Sequence, residues 1–230
     1  MTTYLLHGFW GQPSDWQQVL TRLPLNESVH IPDLLVAGPL GPQNPLPQWA
    51  DEFWKNVEDE QVQLVGYSMG ARLALSALLR HPKRVRRALL LSGNPWLDPQ
   101  EHATRLAWEQ DWQRKFRSLP WPQLEQEWQG IEVFSGSAAL PRRQGPELRE
   151  LLGLALVHWS IRLHDVTPRS LRNLPTAVDW AFGALDQKYL QVAEFLRQLE
   201  VGGRIEILPE AGHRLLIEAS DFVSQWIQNR

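Results

Sequence analysis

Gly66-Tyr67-Ser68-Met69-Gly70 sets one serine between two glycines, directly after the apolar run 62–67 and directly before a stretch with helical periodicity. A serine hydroxyl is a poor nucleophile or base unless a histidine takes its proton and an acid fixes the tautomer of that histidine. At a strand-to-helix corner the serine takes a strained backbone that pushes Oγ into a cleft, and the flanking glycines avoid collision with neighbouring elements. A serine capping the helix that opens at Met69 is the simpler alternative. The rest of the chain argues for chemistry, because it supplies both partners in the order serine, acid, histidine. "GALDQKY" puts Asp186 at the carboxyl end of an apolar run, and "PEAGHRLLIE" puts His213 in the loop before the last helical pattern. Asp179 is a rival acid, but it falls inside its predicted strand. His30, His81, His102, His158 and His164 read as surface or core residues. In "LLHGFWG", 5–11, a His-Gly after the first strand allows a sharp turn. The Phe9 N–H can then join the Met69 N–H in holding a developing oxyanion, and His7 reads as a hydrogen-bonded packing residue.

Convergence of these groups requires a sheet that gathers them at one rim. Short apolar runs at 3–7, 28–32, 62–67, 87–93, 177–183 and 204–210 are continuous rather than alternating, the pattern of strands covered on both faces. Helical patterns at 14–22, 47–58, 69–80, 187–200 and 217–228 separate them. This βαβα order predicts a mostly parallel sheet of about six strands with right-handed crossovers, and active groups in such sheets collect at the carboxyl ends of strands. Between about Pro95 and Arg172 the rhythm changes to helical patterns at 99–116, 121–129, 146–158 and 167–172, with the Gly/Ser/Pro-rich connector "FSGSAALPRRQGP" at 134–146. The expected organisation is a core of residues 1–95 and 173–230 with a helical lid, 96–172, inserted before the penultimate strand. The Pro/Gly-rich stretch 31–47 reads as a long ordered loop.

Composition narrows the classes of function. A net charge of −3 gives no broad basic field for nucleic acid or an anionic membrane, so an anionic ligand must be met by local arginines. The absence of cysteine removes disulfides, thiolate nucleophiles and zinc-thiolate sites together. No stretch approaches the ~20 apolar residues of a membrane span, and "MTTYLLHGFWG" lacks the features of a signal peptide. The default expectation is a cytoplasmic protein. Twelve tryptophans are present, and Trp108, Trp112, Trp121, Trp128 and Trp159 fall in the lid segment. Most of these are expected to dock the lid on the core, with one or two lining a ligand pocket.

"HGFWG", "GYSMGA", "GALDQK" and "AGH", in order across nearly the whole chain, resemble the α/β-hydrolase superfamily. The typical member has eight strands; this chain starts at what would be the third, which leaves about six. "GYSMGARLAL" is similar to the corresponding stretch of 2-succinyl-6-hydroxy-2,4-cyclohexadiene-1-carboxylate synthases, the MenH family of menaquinone and phylloquinone biosynthesis. That resemblance implies a pyruvate-eliminating lyase acting on a small polycarboxylate with no metal or organic cofactor. It implies Ser68, Asp186 and His213 as the triad, and Tyr67, Arg72, Arg105 and Trp128 as substrate contacts. Arg72, four residues after Ser68, should share its side of the helix and reach a carboxylate with its planar fork. The family's third carboxylate-binding arginine falls near Ala155 here, leaving Arg149 or Arg162 as substitutes from a neighbouring turn. "DLPGHG" becomes "IPDLLVAGPLG", and Ala71 replaces a glycine. The alternatives are a carboxylesterase or thioesterase working through a Ser68 acyl-enzyme, or a binding protein that kept the fold.

Overall fold

The computed structural model describes residues 1–229. Six strands, β1 (Thr3–Leu6), β2 (Val29–His30), β3 (Val62–Tyr67), β4 (Val85–Leu91), β5 (Val178–Gly183) and β6 (Ile205–Leu208), form one sheet in the order β2-β1-β3-β4-β5-β6. Every neighbouring pair is parallel. The chain leaves β1 for β2 on one side and returns to β3 on the other. The loop after β1 and the corner after β3 therefore face one crevice, where the strand order reverses.

The helices are α1 (Gln17–Leu20), α2 (Leu46–Lys55), α3 (Met69–Arg80), α4 (His102–Ser118), α5 (Trp121–Gln129), α6 (Pro146–His158), α7 (Pro168–Arg172), α8 (Gln187–Gln198), α9 (Leu215–Glu218) and α10 (Ser220–Gln228). Successive strand residues point to opposite faces. Leu6, Leu64, Leu90 and Phe182 join one core cluster, with Trp49, Phe53, Leu73 and Leu196 of α2, α3 and α8. Their chain neighbours Leu5, Val65, Leu89 and Ala181 join the other, with Trp16, Val19, Val223 and Ile227. Both faces are dry, which is why the strands read as unbroken apolar runs. Among the described residues no helix is long and apolar enough to cross a membrane.

The helical insertion α4–α7 lies between β4 and β5, as the sequence predicts, and its Trp112, Phe116, Trp128, Leu152 and Trp159 belong to the first cluster. Its connector is tied down rather than loose. Arg143 forks onto Asp33 at 2.6 and 2.9 Å, and Trp10 Nε1 donates to Arg143 O at 3.0 Å. Arg142 donates to Trp10 O at 2.9 Å. Arg214, fully buried, donates to Ser137 O at 3.3 Å, to Ala138 O and to Gln129 Oε1 at 2.6 Å.

Three elements differ from expectation. The strand at 28–32 narrows to Val29–His30, since Pro32 offers no N–H to extend the ladder. The helix at 14–22 opens with a 3-10 turn, Pro13–Trp16, before α1. The helix at 217–228 is α9 and α10, broken where Ala219 leaves helical conformation at φ −134°, ψ 34°.

Candidate active site

Ser68 sits at φ +52°, ψ −107°, a conformation L-residues avoid. Packing around it holds the strain. Its N–H donates to Leu91 O at 2.9 Å, and the two flanking glycines leave room for nothing larger. A Cβ on Gly66 would lie 2.4 Å from Gly70 O, and one on Gly70 would lie 2.1 Å from Leu6 O. His213 Nε2 is 3.1 Å from Ser68 Oγ, and His213 Nδ1 is 2.6 Å from Asp186 Oδ2. With the proton on Nδ1 donated to Asp186, Nε2 is the acceptor for the serine hydroxyl. Asp186 and His213 are both buried. Asp186 caps α8, accepting from the Tyr189 N–H at 3.3 Å. Ser92 Oγ donates to His213 O at 2.8 Å and pins the histidine loop to the end of β4.

The other sequence-predicted residues fall as follows. Asp179 accepts from Arg204 N and from Trp226 Nε1, far from the histidine, so the rival acid has structural partners of its own. His7 is fully buried; its Nδ1 meets Gly8 O at 2.9 Å and its Nε2 accepts from Leu34 N at 3.0 Å. Phe9 and Met69 flank Ser68 on the wall of a cavity of about 630 Å³. Met69 is the first residue of α3, a position whose N–H has no partner inside the helix. Arg72, Arg105 and Trp128 line the same cavity. Tyr67 does not. Strand alternation sends its ring to the opposite face of the sheet, where it packs 5.5 Å from the His213 ring and against Gly8. It packs against the histidine from behind, and its ring is not on the wall of this cavity.

The cavity has a cationic end and an aromatic remainder. Arg72 Nη2 donates to Trp159 O at 3.1 Å, while its buried Nε has no partner. Burial, and then repulsion from Arg105, bring the Arg72 guanidinium down to about 10, so it stays a cation at neutral pH. Arg105 is paired through Nε to Glu109 at 2.7 Å. Trp128 Nε1 is buried without a partner, its ring 4.8 Å from Phe9 and 5.9 Å from Phe134. Trp108 and Trp159 line the cavity; Trp112 and Trp121 are docking residues. Ala155 is on the wall. Of its two candidate substitutes, Arg149 turns away to Leu119 O and the Trp121 ring, and Arg162 reaches Glu109 from behind the lining.

Residues 4–226 match the model of the alpha/beta hydrolase family. This chain belongs to that family. It is similar to the 2-succinyl-6-hydroxy-2,4-cyclohexadiene-1-carboxylate synthase of Enterobacter sp. (strain 638), 27% identical over 221 residues that cover 90% of this chain and 83% of that one. It is also similar to the chloroplastic protein PHYLLO of Arabidopsis thaliana, 26% identical over 249 residues, 93% of this chain but 14% of that longer one. Among solved structures, MenH from S. aureus superposes with a TM-score of 0.80 at 18% identity, covering 99% of this chain and 92% of that one.

Sequence reasoning missed Tyr189, in the hydrolase core, and gave His164, in the lid, no role beyond packing. Tyr189 lines the cavity with its ring 4.6 Å from His213 and its hydroxyl turned to Ser68. The spacing from Asp186, one helical turn, was the available signal. His164 Nδ1 meets Pro95 O at 3.1 Å, while Nε2 is buried and unpartnered. Burial, helped by the charge of Arg72, lowers its pKa to about 4 against an ordinary 6.5. Between these values the unfolded chain binds the extra proton. Stability is therefore unaffected above pH 6.5 and falls as pH drops from 6.5 toward 4. Discounted because the residue is only partly buried, the loss is about 2 kcal/mol. Urea unfolding at pH 7 and pH 4.5 should show it, and His164→Asn should flatten that difference.

Proposed function

We propose that this protein is a 2-succinyl-6-hydroxy-2,4-cyclohexadiene-1-carboxylate synthase. It eliminates pyruvate from 2-succinyl-5-enolpyruvyl-6-hydroxy-3-cyclohexene-1-carboxylate, a step of menaquinone or phylloquinone biosynthesis. The observation that carries the reading is Arg72, a partly buried cation whose enclosed Nε has no partner, on the wall that holds Ser68. Ester hydrolysis has no use for such a charge, whereas a polycarboxylate substrate needs it. The similar synthases add support.

In this reading the triad works as a base. His213, held in its tautomer by Asp186, draws the proton from Ser68, and the serine oxygen removes a proton alpha to the succinyl carbonyl. The electron pair moves onto the carbonyl oxygen, where the Phe9 and Met69 N–H groups meet the charge. As the carbonyl re-forms, the C–O bond to the enolpyruvyl group breaks, and the departing enolate takes a proton to leave as pyruvate. Arg72 and Arg105 hold carboxylates through these steps, and Trp128 offers its ring and N–H to the substrate. The lid, 96–172, acts as one unit over the core, and it excludes water from the cavity.

The test is pyruvate release and diene absorbance with the authentic substrate, beside cleavage of a short-chain nitrophenyl ester. Rapid pyruvate release with slow ester cleavage is expected. Rapid ester cleavage without pyruvate would assign a carboxylesterase or thioesterase working through a Ser68 acyl-enzyme.

A further inference from the structure

Glu109 is a buried carboxylate, 2% exposed, directly behind the cationic end of the cavity. It accepts from Arg105 Nε at 2.7 Å, Ser160 Oγ at 2.6 Å and Arg162 Nε at 3.0 Å. Arg105 and Ser160 line the cavity; Arg162 does not. On its other side Arg105 is pressed by Trp108, whose ring centre is 4.4 Å from the guanidinium carbon. An arginine clamped between a carboxylate and an indole has little rotamer freedom left to lose when a ligand binds. Only its Nε is engaged by Glu109, so the remaining donors are there for a ligand.

The same carboxylate changes the charge count. Arg72 and Arg105 are close enough to repel, and Glu109 attracts Arg72 as well. Three guanidinium groups and one carboxylate leave an excess of two positive charges. The other charged residues on the lining, Asp98, Glu101, Glu132 and Lys188, are exposed or half-exposed, where solvent screens them.

We infer that Glu109 is a positioning and specificity-determining residue: it holds Arg105 at the cavity wall and, by cancelling one of three neighbouring guanidinium charges, sets that end for two carboxylates rather than three. The inference rests on the polycarboxylate reading above. It also accounts for Arg162, which acts on the cavity through Glu109 without entering it. The proposed substrate carries three carboxylates, so one of them lies outside this end, and Lys188 is the other cation on the lining.

Binding of succinate and of tricarballylate at pH 8 and low salt, followed by tryptophan fluorescence, tests the count. Glu109→Gln should shift the ratio of the two Kd values by about tenfold in favour of the trianion. Arg162→Gln should shift it the opposite way, and the double variant should return to within about twofold of the unaltered protein. A ratio that stays put in both single variants, or a double variant that fails to restore it, would overturn the assignment while leaving the polycarboxylate reading intact. Absence of binding of either anion to the unaltered protein would instead remove the polycarboxylate reading, and this inference with it.

Discussion

Asp186→Asn is expected to lower kcat by about three to four orders of magnitude with KM changed by no more than about threefold, the scale of loss seen when a triad loses its acid. The carboxylate accepts from His213 Nδ1 at 2.6 Å in a buried site. An asparagine amide can donate to Nδ1 instead, which moves the ring proton to Nε2 and leaves no lone pair for Ser68. Steady-state kinetics on the enolpyruvyl substrate, with circular dichroism to check the fold, measure it. Asp179→Asn is the control. Its side chain serves Arg204 N and Trp226 Nε1, so its effect should appear in thermal stability and leave kcat within about threefold. Equal losses of kcat in the two variants would break the assignment of Asp186.

The second large effect is expected at Arg72. Arg72→Ala should reduce kcat/KM on the enolpyruvyl substrate by about 100- to 1000-fold, equivalent to about 3–4 kcal/mol, because a carboxylate held in a buried site would lose its partner. Cleavage of a neutral nitrophenyl ester, to whatever extent it occurs, should change by no more than about threefold, since Ser68, His213 and the helix start at Met69 are untouched. Arg72→Lys keeps the charge and loses the planar fork, so an intermediate loss of about tenfold is expected. Undiminished turnover of the enolpyruvyl substrate by the alanine variant would remove the synthase reading. Parallel losses on both substrates would instead point to collapse of the wall around Trp159, whose carbonyl Arg72 supports.

Ser68, Asp186 and His213 were legible because each sits in a short local pattern, the end of an apolar run followed by a glycine-bearing turn. The parallel sheet then does the rest by gathering strand ends at one rim. His7 was legible for the same reason, as a buried side chain fixed by its own turn. Tyr67 shows that adjacency in the chain to a reactive residue does not imply a shared face. Strand parity sends it with Val65 to the far side, a distinction that becomes visible only when the two core clusters are separated. Glu109 was invisible for another reason. It is one of two acids on a helix with no strong apolar stripe, and its burial is created by Ser160 and Arg162, about fifty residues further along. The missing arginine at Ala155 was noticed, but one-dimensional spacing could not choose between Arg149 and Arg162, which point to different neighbours.

The connector that looked like a tether in the sequence carries a consequence for traffic through the cavity. A flap free to swing would be joined to its base only at the two chain ends, whereas here guanidinium groups bolt its middle to the loops that follow β2 and precede α9. Swinging it away as a rigid body would rupture several charge-assisted bonds, each worth about 1.5–3 kcal/mol. With those bonds intact, exchange of substrate would fall to movements of single side chains on the wall, where Trp96 stacks on Phe195 of α8 at 5.2 Å.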